Sequence, residues 1–371
     1  MNLTIIIISF GAIQGLFLSF LLMTSHRGNK KANRVLGVVI FMFSMSLGHV
    51  ILEQTGAYRQ YPHLLLLIYP TPFLFAPLIL GYVTLLTRPD FKFKKKYLLH
   101  FLPFLLNVIF FTVTFYLKNG EYKIQRFEGL KVTVTPVDYF WSISHVIYTT
   151  PYLIAGVMMI KKHRQRIQNS FSSIEKVTLS WLQKFLYIII CVFVINTIFD
   201  ILYFMNVNRF IGNPVMGVIV AVMIYSIGYM GWRQPEIFAH GELLESAEKY
   251  KTSPLGHEQA KKYKNRLMKI MKTDKPFLNH SLTIKELAER LNIPAYQLSQ
   301  LINEHFGKNF FEFINSHRIE EAKQRLSDPK LSHYSILAIA YDAGFNSKSV
   351  FNTAFKKYTG MTPSEFRERF G

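Results

Sequence analysis

The hydrophobic positions of this chain follow two different patterns, one before residue 232 and the other after residue 256. The first part contains seven mostly apolar stretches, each close to the roughly 20 residues that a helix needs to cross a bilayer core. These stretches are Asn2–Met23, Val35–Leu52, His63–Thr87, Leu98–Leu117, Asp138–Ile160, Phe185–Met205 and Pro214–Trp232. Their lengths predict seven transmembrane helices over residues 1–232.

The second pattern is that of short amphipathic helices, and it begins with a capping box. Thr283 can cap a helix while Glu286 reaches back to it three residues later. Apolar residues then recur at i, i+3, i+4 and i+7, which gives one apolar helix face. They are Ile284, Leu287, Ala288 and Leu291. After a turn at Asn292-Ile293-Pro294, a second helix starts near Ala295 with its own apolar face, and together these elements predict a helix-turn-helix. That inward face is Leu298, Leu301 and Ile302.

The same arrangement recurs 52 residues further along the chain. Its first apolar face consists of Ile336, Ile339, Ala340 and Ala343, its turn of Gly344-Phe345-Asn346, and its second apolar face of Phe351, Ala354, Phe355 and Tyr358. Each unit closes with a glycine, Gly307 or Gly360. A connecting helix from Asn309 to about Leu326 would span roughly 26 Å at 1.5 Å per residue. Once the widths of the two reading helices are added, this length is comparable with the ~34 Å between successive major-groove faces of DNA. One chain can therefore read two adjacent grooves.

Three segments follow from these patterns. Residues 1–232 are predicted as a transmembrane sensor or anchor, residues 233–272 as a cytosolic linker with a connecting helix, and residues 273–371 as the DNA-binding domain. Within the linker, Glu242 to Lys251 is predicted to form a charged helix that either transmits movement or acts as a spacer. His257 to Met271 is predicted to form a basic helix that packs on the domain. The fold class is therefore all-α, with a seven-span bundle followed by a seven-helix domain that carries two helix-turn-helix units.

Charge orients the predicted bundle. The chain has 43 Lys and Arg against 23 Asp and Glu, a formal charge of +20. Fifteen of the basic residues lie on the loops after the first, third and fifth spans, whereas the alternate loops hold six. By the positive-inside rule, the amino terminus is outside and the carboxy terminus is in the cytoplasm. The first span has neither a preceding basic region nor a cleavage site, so we expect it to be retained in a bacterial cytoplasmic (inner) membrane.

Cysteine usage and residue spacing argue against redox, zinc and enzyme chemistry. Cys191 is the single cysteine, so the chain can form no internal disulfide and no thiolate zinc cluster. No catalytic or metal-ligand spacing is recognisable, and the sequence predicts no enzyme activity, no cofactor and no metal.

Polar residues inside the apolar stretches are candidates for sensing. Ionisable groups are costly in lipid and usually face a bundle interior or a wet cavity. The candidates, all in the outward-facing half, are His49, Glu53, His63, His145, Asn196 and Asp200, with Asp138 beside them. They are predicted either to form a small-molecule, ion or proton site or to hydrogen-bond between helices. The longest outer loop alternates between Tyr122 and Val134, which predicts a short β-hairpin.

The outward faces of the two second helices carry the candidate DNA contacts. Polar side chains there can bond or stack at base edges in a major groove, and basic ones can bind phosphates. The predicted base-reading residues are Tyr296, Ser299 and Gln300 on the first helix and Lys348, Ser349, Asn352 and Thr353 on the second. The predicted phosphate contacts are Asn303, Lys308, Lys356 and Lys357. Residues 257–371 hold nineteen Lys and Arg against twelve Asp and Glu, a charge that favours DNA in a salt-dependent way.

Four stretches of this region resemble the DNA-binding domain of the arabinose-regulator (AraC/XylS) family. They are Leu298-Ser299-Gln300-Leu301-Ile302-Asn303, Asn309-Phe310-Phe311-Glu312-Phe313-Ile314-Asn315, Ile339-Ala340-Tyr341-Asp342-Ala343-Gly344-Phe345-Asn346-Ser347 and Gly360-Met361-Thr362-Pro363-Ser364-Glu365-Phe366-Arg367. The resemblance covers about Thr283 to Arg369 and implies a bacterial transcription regulator, commonly an activator, that works with RNA polymerase. The predicted membrane bundle in place of a soluble effector domain resembles the membrane-bound subset of that family.

The sequence therefore predicts a membrane-embedded regulator whose partners are double-stranded DNA, membrane lipid, RNA polymerase and an unidentified small-molecule or membrane signal. A homodimer formed through the bundle would raise DNA affinity through effective concentration. Two alternatives stay open at this point: a membrane enzyme or transporter with an appended regulatory domain, and a transcription factor that the bundle only anchors.

Overall fold

A computed structural model describes residues 3–26, 29–88, 90–130, 135–174, 179–205, 212–232 and 257–371. Within these residues the chain forms fifteen α-helices and no strand, which confirms the all-α prediction for the described part. The predicted charged helix Glu242 to Lys251 lies outside the described residues. The chain divides into two compact units, one made of Met1–Lys161 and Leu179–Phe238, the other of Lys162–Thr178 and Ala239–Gly371.

The first unit contains the apolar helices. They are α1 (Leu3–Thr24), α2 (Lys30–Gln54), α3 (Pro72–Thr87), α4 (Leu102–Phe111), α5 (Gly120–Leu130), α6 (Pro136–Ser170, shared with the second unit from Lys162 on), α7 (Ser180–Phe204) and α8 (Gly212–Trp232). Among the described residues, five helical stretches are long and apolar enough to cross a membrane: α1, α2, α6, α7 and the continuous stretch Lys95–Tyr116 that includes α4. Two further apolar helices, α3 and Asn213–Ile227 within α8, are shorter. The structure thus supports five spans by length, whereas the count of seven is not confirmed.

The third predicted span is shorter than the apolar stretch that suggested it. Its helix begins at Pro72 rather than near His63, and at 16 residues it is about 24 Å long. A short 3₁₀ turn and a residue in the left-handed region, Leu66 at φ 57°, precede it. Pro70 and Pro72 both lack a backbone N–H, so neither could donate the i to i−4 hydrogen bond that a helix extending further back would require.

The hairpin predicted in the outer loop is wrong for the part that the structure describes. Residues Gly120–Leu130 form the helix α5, while residues 131–134 lie outside the described residues. Lys123 and Phe127 are the buried residues of α5, and they lie four positions apart on one helix face. The apolar residues of this segment fit a helical repeat as well as an alternating one, and burial of that face decided between them.

Small residues allow α1 to pack closely against its neighbours in the first unit. A Cβ atom at Gly11 would lie 2.5 Å from Cβ of Ala221, and one at Gly15 would lie 2.1 Å from Oγ of Ser44. Real Cβ atoms do not approach so closely, so both positions require glycine. Gly11 and Gly15 are four residues apart on one face, the spacing by which membrane helices bring their backbones together.

The second unit contains seven helices after residue 256. They are α9 (His257–Thr273), α10 (Ile284–Leu291), α11 (Ala295–Phe306), α12 (Phe310–Leu326), α13 (Ile336–Asp342), α14 (Lys348–Thr359) and α15 (Pro363–Phe370). Leu267 and Met271 of α9 are buried with α10 and α11, so α9 belongs to the core of the domain, as its apolar spacing predicts. Helix α12 contributes Phe313 and Ile314 to this first core and Ile319 and Ala322 to a second one.

Candidate nucleic-acid interface and sensor cavity

The first helix-turn-helix is formed by α10 and α11. The predicted capping box is present: Glu286 N donates to Thr283 Oγ1 over 3.2 Å, and Thr283 N donates to Glu286 Oε2 over 3.0 Å. The turn needs a left-handed residue, and Asn292 provides it at φ 53°. All seven residues predicted to face inward on these two helices are buried. Local signals and the apolar spacing therefore determine this unit as predicted.

The second helix-turn-helix, α13 and α14, repeats the first with different capping. Ser335 caps α13 by accepting from Ala338 N over 3.0 Å, and Ser347 caps α14 by accepting from Val350 N over 3.5 Å. The turn between them contains Gly344 at φ 92°. The glycines predicted to close the units, Gly307 and Gly360, both end their helices in the left-handed region.

Helix α12 joins the two units as the sequence predicts. Asn309 caps it by accepting from Glu312 N over 2.9 Å, and its 17 residues extend roughly 26 Å. Both α11 and α14 pack against it. One rigid element therefore sets the spacing between the two candidate reading helices.

The residues predicted to read bases on α11 lie at its accessible face. Tyr296, Ser299 and Gln300 are half-buried, and Asn303 is exposed. Gln300 Nε2 donates to Glu304 Oε1 over 2.9 Å, and Asn303 Nδ2 donates to Ser299 O over 2.8 Å. These bonds stay within one turn of the helix and leave the side chains at the surface.

The predicted residues of α14 lie beside a groove of about 1100 Å³. The groove is lined by Lys348, Asn352, Thr353, Lys356 and Lys357, together with residues from the first turns of α13 and α15. Ser349 is exposed on the same helix. The second reading helix therefore presents all the residues predicted for it, and most of them meet in one concave surface.

Sequence reasoning missed Arg367, which also lines this groove. Its Nη1 donates to Tyr334 O over 2.8 Å, while its buried Nε and Nη2 have no hydrogen-bond partner in the part of the chain that the structure describes. Guanidinium donors of this kind suit a phosphate. Arg367 closes the last stretch that resembles the regulator family, so its position in that stretch was the available signal.

Two of the predicted phosphate contacts are already engaged within the domain. Lys357 Nζ lies 2.9 Å from Glu312 Oε1, and this hydrogen bond lowers the pKa of the Glu312 carboxyl and raises the pKa of the Lys357 ammonium. Lys308 lies over the ring of Tyr358, 5.5 Å from its centroid. Lys356 is exposed. The Glu312 carboxylate therefore offsets the charge that Lys357 can offer to a phosphate, whereas the exposed Lys356 forms none of the ion pairs found among the described residues.

Within the first unit, four of the six predicted sensor residues line one cavity of about 480 Å³. They are His49, His145, Asn196 and Asp200, and Asp138 also lines it. Aromatic side chains form much of the remaining wall, among them Tyr69, Trp141 and Tyr203. Residues from helices far apart in the sequence thus meet around a space large enough for a small organic molecule.

The other two predicted sensor residues do not line this cavity. Glu53 Oε2 accepts from Asn213 Nδ2 over 2.8 Å, and Asn213 does line the cavity, so Glu53 orients a wall residue. His63 Nδ1 lies 2.8 Å from Lys123 Nζ and so joins the turn before α3 to α5. Among the described residues no group of three His, Cys, Asp or Glu side chains is arranged to hold a metal ion.

Comparison with known proteins finds similarity to transcription regulators. A family model described as a helix-turn-helix domain matches residues 287–369. The Msm operon regulatory protein of Streptococcus mutans is 30% identical over 139 residues, which is 34% of this chain and 48% of that protein. The raffinose operon transcriptional regulatory protein RafR of Pediococcus pentosaceus is 35% identical over 89 residues, 24% of this chain and 31% of that protein.

The melibiose operon regulatory protein of Escherichia coli is 33% identical over 90 residues, which is 24% of this chain and 29% of that protein. The chain therefore spans less than half the length of these curated relatives. The family match falls within the domain whose two helix-turn-helix units are described above. The C-terminal domain of this chain is a helix-turn-helix DNA-binding domain of the arabinose-regulator type.

Proposed function

We propose that this protein is a multi-pass membrane protein that regulates transcription by binding specific sequences of double-stranded DNA. The observation that carries the proposal is the pair of accessible reading helices, α11 and α14, which both pack on α12 within one domain. Its similarity to operon regulators supports the same conclusion. In this proposal the chain crosses a bacterial inner membrane seven times with its amino terminus outside, and its C-terminal domain acts in the cytoplasm with RNA polymerase.

Each reading helix has a distinct role in the proposal. Tyr296, Ser299 and Gln300 read bases in one major groove, and residues of α14 including Lys348 and Asn352 read the next. The second helix supplies the stronger electrostatic contribution, because three lysines lie on α14 at or near its exposed face while α11 has none. The groove beside α14 holds the DNA backbone, and Arg367 binds a phosphate there.

The DNA claim is tested with the full-length protein reconstituted in lipid nanodiscs. A duplex selected by this protein from a random-sequence pool is compared with a scrambled duplex of equal length and composition. We expect at least a 10³-fold tighter Kd for the selected duplex near physiological salt, as for other specific DNA-binding proteins. Equal affinity for the two duplexes, or no binding at low salt, would refute sequence-specific recognition.

Membrane orientation is tested separately. A reporter enzyme that is active only in the cytoplasm, fused after Gly371, is expected to be active in intact cells, and one fused before the first span is expected to be inactive. The reverse result would place the DNA-binding domain on the side of the membrane that holds no DNA.

We further propose that the cavity lined by His145 and Asp200 binds the signal. It combines an aromatic wall with a carboxylate and an amide, a combination that suits a small amphipathic molecule with a hydrogen-bonding group. A compound that raises the Tm of the reconstituted protein is expected to lose this effect in Asp200→Asn and in His145→Ala. The exposed His26 offers a control, because His26→Ala should leave the shift unchanged.

The same proposal separates a sensor from a passive anchor. A fragment that starts at His257 carries the helices α9 to α15 and none of the candidate spans. If the membrane part senses, the full-length protein responds to the compound, whereas this fragment does not respond to it. If the full-length protein and the fragment regulate alike under all conditions, the membrane part serves only as an anchor.

A further inference from the structure

The DNA-binding domain does not form its compact unit alone. Residues Lys162–Thr178, which include the end of α6, belong to the same unit as the C-terminal domain. We define residues Ile167–Ile174 of this stretch as the docking segment. Its backbone pairs with the residues just before α10: Ser172 N donates to Leu282 O over 3.1 Å, and Phe171 and Thr283 form an isolated antiparallel bridge.

The centre of this contact is a buried arginine of α12. Arg318 is only 1% exposed, and among the described residues its hydrogen-bond acceptors are carbonyl, amide and hydroxyl oxygens rather than carboxylates. Its Nε donates to Phe277 O over 2.7 Å, and its Nη2 donates to Asn279 O over 2.8 Å. Ser172 of the docking segment accepts twice, through its carbonyl from Nη1 over 3.0 Å and through its Oγ from Nη2 over 3.1 Å.

A buried guanidinium is stable only when its N–H groups are satisfied. Burial lowers the pKa of Arg318 to about 9, so the side chain stays charged at pH 7 and keeps its need for acceptors. If the docking segment leaves, two of the donors lose Ser172. The domain is therefore built around an arginine whose hydrogen bonds are complete only with the segment in place.

Apolar packing supports the same contact. Ile167, Phe171 and Ile174 are buried together, and Phe311 of α12 packs against them. The residue after Phe311 is Glu312, which binds Lys357 of α14 and whose carbonyl accepts from Tyr358 Oη over 3.0 Å. The docking segment thus contacts the residues that start α10 and the first turn of α12, and that first turn contacts α14.

We propose that the docking segment is the element through which the membrane part controls DNA binding, and that the docked state is the one that binds DNA tightly. This inference rests on the proposed function. Docking orders the cap of α10 and the start of α12, and these in turn position the two reading helices. The segment continues α6, which also carries His145 of the cavity, so a shift of that helix on ligand binding moves the docking segment directly.

Disulfide trapping tests whether the segment docks in the full-length protein. The hydrogen bond from Ser172 N to Leu282 O joins the residue after Phe171 to the residue before Thr283. Phe171 and Thr283 are therefore a non-hydrogen-bonded antiparallel pair, in which Cα atoms lie about 4.5 Å apart. A disulfide accepts that distance. In a Cys191→Ala background, Phe171→Cys with Thr283→Cys is expected to form an intramolecular disulfide on mild oxidation. Absence of the disulfide, in protein whose single-cysteine variants react with a thiol reagent after denaturation, would overturn the docking.

Undocking tests the control of DNA binding. Ile167→Asp places a charge in the buried apolar contact, whereas Asn169→Asp adds the same charge at an exposed position two residues away. In nanodiscs, Ile167→Asp is expected to weaken binding of the selected duplex by 5-fold or more, the lower end of typical allosteric coupling. Asn169→Asp is expected to bind within 2-fold of the unaltered protein. The double-cysteine protein lacks the Thr283 hydroxyl in both redox states, so its oxidised and reduced forms are compared with each other, and the oxidised form is expected to bind the selected duplex at least as tightly as the reduced form.

Equal affinity of the two aspartate variants would overturn the proposal, as would weaker binding by the cross-linked protein than by its reduced form. A fold defect is recognised by pulse proteolysis of residues 257–371 in each variant. If Ile167→Asp loses that protection, Ser172→Ala replaces it, since it removes the one hydroxyl that accepts from Arg318 and donates to Leu282 O. Failure of the DNA-binding proposal itself looks different, because the unaltered protein and Asn169→Asp would then also fail to prefer the selected duplex.

Discussion

Gly344 offers the sharpest test of how the second helix-turn-helix is held on the rest of its domain. Its backbone has φ 92°, a conformation that residues with a Cβ rarely adopt. A Cβ built there would lie 2.4 Å from Phe277 O and 3.0 Å from Arg318 Nε. Phe277 O is the acceptor for Arg318 Nε over 2.7 Å, so the added methyl group would displace one of the bonds that satisfy the buried guanidinium.

The expected loss of stability on Gly344→Ala has two parts. Backbone strain costs about 1–3 kcal/mol. Disturbing a hydrogen bond to a charged group costs about a further 1.5–3 kcal/mol. Gly360 is the matched control, because it has φ 75° but nothing within 4 Å of a built Cβ. Gly360→Ala should therefore cost only the backbone strain, about 1–3 kcal/mol.

Pulse proteolysis in urea measures the difference, with residues 257–371 followed by an antibody to the carboxy terminus. Tryptophan fluorescence is unsuitable because Trp141, Trp181 and Trp232 all precede this domain. With an m value of about 1–3 kcal/mol per M, the additional hydrogen-bond cost should make Gly344→Ala unfold at a urea concentration about 0.5–3 M below that of Gly360→Ala. If the two midpoints agree within error, the close approach at Phe277 does not stabilise the domain and the reasoning fails.

Three further predictions concern DNA binding. Glu312→Gln releases Lys357, so the salt dependence of binding should steepen by about one phosphate contact. This adds roughly a 3.5-fold loss of affinity between 50 and 200 mM salt. An unchanged slope in a salt titration followed by fluorescence anisotropy would contradict the prediction. Asn352→Ala should weaken binding to the selected duplex by about 1–3 kcal/mol and have little effect on a scrambled one, whereas Lys356→Ala should weaken binding to both duplexes alike. If each variant weakens binding to the selected and the scrambled duplex equally, α14 does not read bases. Arg367→Gln should also weaken both duplexes alike and flatten the salt slope, and a loss confined to the selected duplex would show that it contacts bases instead.

Local signals were sufficient for the elements of the C-terminal domain. The capping box of Thr283 and Glu286, the left-handed Asn292 and the apolar spacing of α10 to α14 each involve residues within a few turns of one another. Their energies are decided within that distance, so the pattern along the chain predicts the helices, their buried faces and the exposed residues of α14.

Two segments whose local sequence is compatible with more than one structure were predicted wrongly or only in part. The segment that forms α5 alternates as a strand would, and contacts of Lys123 and Phe127 on one helix face decided otherwise. The apolar stretch from His63 to Thr87 has the composition of a span, but two prolines and the left-handed Leu66 leave a helix of 16 residues. Apolar composition alone does not include the cost of a missing backbone donor.

The sequence by itself determined that this chain has long apolar helices followed by a duplicated helix-turn-helix with a basic surface, because each of these depends on periodicity and composition that neighbouring residues share. Tertiary structure alone decided which polar residues of the apolar helices meet around one cavity and that Ser172 satisfies Arg318, 146 positions later in the chain. The buried guanidinium donates to the carbonyl and hydroxyl oxygens that folding brings within about 3 Å of it, and the spacing of these residues along the sequence does not predict that distance.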